Sequence, residues 1–252
     1  MESSNFKSEA YGLQNLIDLS SQVDTLMLHA FDNPFNQSLT DGQLGIALVL
    51  HHYASLIENQ DVQAFASYLM DYVISRAAML PKLSLENGLM GLGWGIEYLV
   101  QNGMVDSNAT DICEEIDLYL QTVNLIVLCQ EQDTGSLSGI LNYLLVHYSN
   151  MPVALQQHYM VQFPDILGEI QQIVKNSSAS FGEIPYLCHR FSQLMKTGIK
   201  QRGTMKLSRF ILHHSQEACS YGLRSGLAGE VEMALESKFM ATSVSLEKRE
   251  DI

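Results

Sequence analysis

Cysteine, histidine and glutamate residues at a few positions in this sequence have the chemistry for a metal or catalytic site. Cys188 and His189 are adjacent, and together with Cys219 they supply the thiolates and the imidazole that zinc prefers in proteins. Cys188 lies six residues after Gly182, however, which places it nearly two turns into the helix predicted there. We therefore favour a buried thiol beside a polar histidine and no metal. A displaced zinc site at Cys188, His189 and Cys219 is the open alternative.

Glu183 and Glu230 form a second possible pair of reacting groups. Each glutamate directly follows a glycine of a repeated motif, at the same phase of two successive copies. Paired carboxylates serve as acid and as base or nucleophile in glycoside hydrolysis. The simpler interpretation is that the helix dipole favours glutamate in the first turn of a helix.

The repeated motif recurs through the chain with a nearly constant period. Residues 38–47 read SLTDGQLGIA and residues 84–93 read SLENGLMGLG, so both have the form S-L-x-[D/N]-G-x-x-G. Residues 222–230, GLRSGLAGE, keep the two glycines. With weaker copies at Gly139 and Gly182, the five copies are spaced by 46, 48, 43 and 47 residues. A period of about 45 residues is typical of helical-repeat proteins.

Each strong copy of the motif predicts the start of a helix. We expect Asp41, Asn87 and Ser225 to be N-cap residues. Their side-chain oxygens would accept hydrogen bonds from the free backbone N–H groups of the first turn. Glycines three residues apart share one face of that turn, so other backbone or a ligand can approach closely. The candidate peptide-binding residues are therefore the motif glycines, together with the nearby aromatic and acidic side chains: Gly42, Gly45, Gly88, Gly91, Trp94, Gly226, Gly229, Glu183 and Glu230.

Apolar residues three and four apart predict further helices between the motifs, and no segment alternates convincingly as a strand does. These predicted helices cover residues 10–30, 62–78, 109–127, 154–174 and 205–216. The predicted fold is all-α, with five helix pairs in an α/α-toroid, and five pairs either close the ring or leave it incomplete. An open solenoid is the alternative, but only a toroid crowds its inner helices at an axis where small residues relieve the crowding. We expect one domain over residues 1–240 and a charged flexible tail over residues 241–252.

The stretch from Ser84 to Leu99, with the copies at Gly42 and Gly226, resembles the glycine motifs of the lanthionine synthetase C-like (LanC-like) family. The resemblance covers about residues 38–235. It implies an α/α-toroid, which has seven helix pairs in the family, so about two repeats are missing here. Cyclases of that family use zinc to join cysteine thiols to dehydrated Ser or Thr in ribosomally made precursor peptides.

The family's zinc-binding motifs do not occur in this chain. They are a Trp-Cys-x-Gly motif and a Cys-His-Gly motif, whereas Arg224 and Ser225 precede Gly226 here. Arginine keeps its proton near neutral pH, and a serine hydroxyl is a poor ligand for a soft site. The resemblance therefore implies a shortened relative without zinc or another cofactor.

Composition restricts the partners and the compartment. The chain has 14 Lys and Arg against 28 Asp and Glu, a formal net charge of −14, which disfavours nucleic acid. No apolar run reaches the roughly 18 residues of a membrane span. The polar start, residues 1–12, lacks a secretory signal, and the four cysteines form no C-x-x-C pair. We expect a cytoplasmic protein.

These observations lead to one hypothesis and two alternatives. The hypothesis is a LanC-like accessory protein in peptide maturation that binds a precursor peptide or a peptide-modifying enzyme and is not an enzyme by itself. The first alternative is a lanthionine-forming peptide cyclase with an unconventional metal site. The second is a carbohydrate-active α/α-toroid that uses Glu183 and Glu230.

Overall fold

The computed structural model describes residues 19–80, 83–148, 150–197, 205–210, 221–224 and 226–237. Within these ranges the regular structure is helical and no β-strand occurs, which confirms the all-α prediction. The chain divides into two compact units. The first unit is Met1–Val73 with Leu207–Ile252, and the second is Ile74–Lys206. The single domain, the toroid and the five helix pairs stay predictions, and the tail over residues 241–252 lies outside the described residues.

α-Helices of 4 to 24 residues occur in the described ranges, with 3-10 turns at Ala77–Met79 and Leu207–Phe210. In chain order the helices are α1 (19–29), α2 (Gln43–Ile57), α3 (Gln60–Ser75), α4 (Leu89–Gln101), α5 (Ala109–Ile112), α6 (Glu114–Leu120), α7 (Leu125–Gln130), α8 (Thr134–His147), α9 (Val153–Asn176), α10 (Ile184–Thr197) and α11 (227–237). No helix within the described ranges combines the length and the apolar character that crossing a membrane requires.

The strong motif copies begin helices, as predicted, but the predicted caps at Asp41 and Asn87 are wrong. Gly42 and Gly88 are the N-cap residues of α2 and α4, and neither has a side chain that could accept a hydrogen bond from a backbone N–H. The backbone N–H groups of Asp41 and Asn87 instead donate to the serine hydroxyl three residues earlier in the motif. That hydrogen bond holds the acidic or amide residue in the turn before the helix, which moves the helix start one residue further along.

The first and last motif copies are in contact within the first unit. The backbone N–H of Arg224 donates to the Thr40 carbonyl oxygen at 2.8 Å. A Cβ at Gly222 would lie 2.7 Å from the Asp41 Cα, so only glycine allows this approach. Ser225, the third predicted N-cap, lies outside the described residues, and α11 begins directly after Gly226.

The two weaker motif copies differ from the prediction, because neither Gly139 nor Gly182 lies in a first helical turn. α8 begins at Thr134, where the Asp133 carboxylate caps it by accepting from the Ser136 N–H at 3.1 Å. Gly139 therefore lies inside α8 rather than at its start. Gly182 has a left-handed backbone, with φ of 51°, in the turn before α10.

The helix predicted over residues 109–127 is divided into three short helices, α5, α6 and α7. Asn108 caps α5, and Asn124 caps α7 by accepting from the N–H groups of Ile126 and Val127. An asparagine that bonds to the backbone in this way favours a new helix start over continuation. The helices predicted over 62–78 and 154–174 correspond to α3 and α9, while those over 10–30 and 205–216 lie partly outside the described residues.

Candidate functional site: an apolar groove on a helix held by a buried histidine

An open groove of about 380 Å³ lies in the second unit. This volume is within the range of small-ligand sites, roughly 300–1,000 Å³. Three segments line the groove: Ala77, Ala78 and Leu80; Leu83 and Leu89; and Glu115, Ile116 and Tyr119. The lining side chains are therefore apolar except for one carboxylate and one phenol. We refer to this set as the apolar groove.

The second motif copy forms one wall of the apolar groove. Leu83 and Leu89 lie on either side of the motif turn, and Gly139 of α8 lies beneath the start of that segment. A Cβ at Gly139 would collide with the Leu83 carbonyl oxygen and would lie 2.7 Å from the Leu85 nitrogen. The weak fourth copy of the motif therefore has a packing role, because its glycine lets α8 support the groove wall.

Another wall is α6, a helix of seven residues whose two sides differ in chemistry. Glu115 and Tyr119 are four residues apart and face the groove, and half of the Tyr119 surface is exposed. Asp117 lies on the other side of the helix and is buried. A helix this short is not stable alone, so its position depends on what holds the buried side.

A buried histidine holds that side of α6. The His147 ring, fully buried on α8, donates one N–H to Asp117 Oδ2 at 2.8 Å and the other to Glu97 Oε1 of α4. Tyr143 stacks on the ring and donates its hydroxyl to Asp117 Oδ1 at 2.8 Å. We call Glu97, Asp117, Tyr143 and His147 the histidine network. It joins α4, α6 and α8 through charged hydrogen bonds.

The second carboxylate of the histidine network is also fully bonded. Glu97 Oε2 accepts from the side-chain amides of Gln101 and Asn150, at 2.7 and 2.6 Å. Burial by itself lowers the pKa of His147, but the hydrogen bonds to Asp117 and Glu97 outweigh it and raise that pKa to about 9. At neutral pH the ring is therefore an imidazolium. Buried charges of this kind persist only when they are paired and hydrogen-bonded.

The histidine network lacks the properties of a catalytic centre. Burial raises the pKa of the neighbouring Cys113 thiol to about 12, so the thiol stays protonated and is a poor nucleophile. Both ring nitrogens of His147 carry protons and have no lone pair for a proton or a metal. The network can fix the position of α6, and it has no open position for a substrate.

The predicted glycine positions are mostly enclosed by the chain itself. Gly42, Gly45, Gly88, Gly91, Gly226 and Gly229 are all buried. A Cβ at Gly42 would lie 2.6 Å from the Ser38 nitrogen, and one at Gly45 would collide with the Leu39 carbonyl oxygen and lie 3.0 Å from the Leu223 Cβ. At these two positions the close approach that glycine permits is made by the chain's own loop. Their role in binding a peptide stays a prediction.

The predicted aromatic and acidic residues lie in different environments. Trp94 is 1% exposed in the second unit and stacks on Tyr98, with ring centroids 5.7 Å apart. The exposed Glu183 accepts from the Ser138 hydroxyl at 2.5 Å and from the Asn142 amide at 3.1 Å. Glu230 is exposed and belongs to the first unit, whereas Glu183 belongs to the second. The glycosidase alternative stays a prediction.

The adjacent candidate metal ligands Cys188 and His189 differ in solvent exposure. Cys188 is fully buried, and burial raises the pKa of its thiol to about 12, whereas His189 is exposed. This arrangement agrees with the favoured interpretation of a buried thiol beside a polar histidine. Cys219 lies outside the described residues. Among the residues whose placement is described, no group of three or more His, Cys, Asp or Glu side chains could hold a metal ion.

Sequence reasoning missed both the histidine network and the apolar groove. Glu97 and His147 lie inside predicted helices and 50 residues apart in sequence, so no local motif joins them. A signal was nevertheless present, because both are ionisable residues among long apolar runs in α4 and α8. Such residues are rarely buried without a charged partner.

Comparisons of this chain with protein-family models, with curated proteins and with solved structures find no match.

Proposed function

We propose that this chain is a peptide-binding protein without a catalytic metal, and that it serves as a LanC-like accessory protein in the maturation of ribosomally made peptides. The observation that carries the proposal is the apolar groove of about 380 Å³ in the second unit. An open groove whose lining side chains are mostly apolar suits the side chains of a short peptide. The resemblance of the glycine motifs to those of the LanC-like family supplies the biological setting.

The groove residues support binding better than chemistry. Tyr119 presents a half-exposed aromatic ring, and aromatic side chains are enriched at the centres of binding sites. Glu115 is the single carboxylate among the lining residues, so the groove lacks the pair of carboxylates that glycoside hydrolysis uses. The three described cysteines, Cys113, Cys129 and Cys188, are buried and are not available to a substrate.

The test is a binding measurement with a defined peptide. A fluorescein-labelled peptide that contains cysteine and dehydroalanine is titrated with the full chain, and fluorescence anisotropy is recorded. We expect saturable binding that Tyr119→Ala weakens about tenfold, the effect of removing one central aromatic contact. The matched control is Tyr186→Ala, because Tyr186 is similarly exposed on α10 and lies outside the groove lining. Absence of binding, or equal loss in both variants, would contradict the proposal.

The same samples test the absence of catalysis. We expect metal analysis to find no stoichiometric zinc, and mass spectrometry with thiol labelling to find the peptide cysteine still free after incubation. Stoichiometric zinc together with consumption of the thiol would replace the proposal with the cyclase alternative.

A further inference from the structure

The second unit contains a long stretch without lysine or arginine. Residues 83–174 include eleven Asp or Glu and no Lys or Arg. This stretch supplies Leu83, Leu89 and the whole α6 wall of the apolar groove. The charged surface side chains that this stretch contributes beside the groove are therefore acidic.

The acidic groups next to the groove are exposed and available. Asp111 and Glu114 are exposed on α5 and at the start of α6, beside Glu115. No described residue forms an ion pair with Glu114 or Glu115. Arg76, near the other end of the lining, already interacts within the chain, and Lys82 lies outside the described residues. Carboxylates without partners beside an apolar surface attract a cation that arrives with an apolar group attached.

We infer that the apolar groove accepts a cationic peptide segment, in which an aliphatic or aromatic anchor is flanked by Lys or Arg. This inference rests on the proposed function and names the chemistry of its peptide. The anchor packs between Leu83, Leu89 and Tyr119, and the flanking cation lies at Glu115 and Glu114. Charge complementarity selects this occupant, because a neutral or acidic peptide would gain the apolar contact alone or would be repelled.

The experiment compares two fluorescein-labelled peptides of equal length and equal apolar content, one with Lys beside its Leu and Phe residues and one with Gln at those positions. At low salt we expect the Lys peptide to bind at least about tenfold more tightly to the full chain. The ratio should shrink as salt is added, because ions screen charges separated by more than about 8 Å at physiological ionic strength.

Two variants separate a local effect from the net charge of the chain. Glu115→Gln should weaken binding of the Lys peptide about three- to tenfold and leave the Gln peptide unchanged. Glu131→Gln removes the same charge from an exposed position outside the groove lining and should change neither affinity by more than about twofold. Both positions are exposed, so both variants should fold, which far-ultraviolet circular dichroism checks.

Each contrary result has a distinct meaning. Equal binding of the two peptides, or equal loss in the Glu115 and Glu131 variants, would overturn the charge inference and leave the proposed function standing. Failure of both peptides to bind would overturn the proposed function, and the inference with it. A groove closed by a second copy of this chain would also overturn the inference, and it would appear as a dimer in light scattering that Tyr119→Ala disrupts.

Discussion

His147 Nε2 lies 2.8 Å from Asp117 Oδ2, so a buried imidazolium on α8 holds the helix that forms one wall of the apolar groove. Asp117 and Tyr119 are two residues apart on α6, and they face opposite sides of it. The buried His147–Asp117 pair therefore fixes the position of the helix that carries the Tyr119 ring at the surface. Stability and binding in the second unit should respond together to changes at Asp117.

Asp117→Asn should lower the free energy of unfolding of the second unit by about 3 kcal/mol, because it leaves a buried imidazolium with one carboxylate fewer. Chemical denaturation followed by the fluorescence of Trp94 measures this, since Trp94 is the single tryptophan and is buried in that unit. Asp111→Asn, at an exposed position on α5, is the control and should cost less than about 0.5 kcal/mol. Similar losses in the two variants would mean that the histidine network does not stabilise the unit.

The second unit should lose stability in alkaline solution. The pKa of His147 is raised from 6.5 to about 9 in the folded chain, so its contribution is complete below pH 6.5 and is lost as the pH rises through 9. The loss should be on the order of 3 kcal/mol. Burial also raises the pKa of Cys113 to about 12, which favours the unfolded state further above pH 9.

Denaturation curves of the second unit between pH 6 and 10, again followed by Trp94, test this dependence. Cys113→Ala removes the contribution of the nearest thiol, and His147→Gln in that background should remove the slope between pH 6 and 8. Above that range Cys188 and Tyr143, whose pKa values burial also raises, keep a slope of their own. The groups that face the ring, Glu97, Asp117 and Tyr143, are kept in both variants. An unchanged slope in the His147 variant would show that the imidazolium is not its source.

Gly139 and Gly168 should respond in opposite directions to alanine. Gly139→Ala should cost about 1–3 kcal/mol of unfolding free energy, because the new Cβ collides with backbone at Leu83 and Leu85. Gly168 lies inside α9 with no atom within 4 Å of its Cβ position, so Gly168→Ala should stabilise by up to about 1 kcal/mol. The same denaturation assay measures both. A stabilising Gly139→Ala would mean that the groove wall is not packed on α8.

The sequence predicts the helical class well, because the glycine motifs and the apolar spacing are local signals. It predicts the starts of α2 and α4 to within one residue, and the error arises because Ser38 and Ser84 bond to the amides of Asp41 and Asn87. It misses the interruptions within residues 109–127, where side-chain caps compete with helix continuation.

The candidate site is much harder to predict. The groove depends on contacts between segments that are far apart in sequence, such as Gly139 beneath Leu83 and His147 against Glu97 and Asp117. Nothing in the local pattern distinguishes those residues from ordinary core positions. At Gly42 and Gly45 the sequence does give a local signal, the glycine motif. That motif fits close packing and ligand binding equally well, so it does not identify a binding site.

Hydrogen–deuterium exchange with and without the Lys-containing peptide tests the central claim most directly, because it locates the peptide on the full chain. The account predicts that the bound peptide slows exchange in residues 77–89 and 114–119, the segments that line the apolar groove. Slowed exchange confined to residues 38–45 and 222–229, where the first and last motif copies lie, would contradict it.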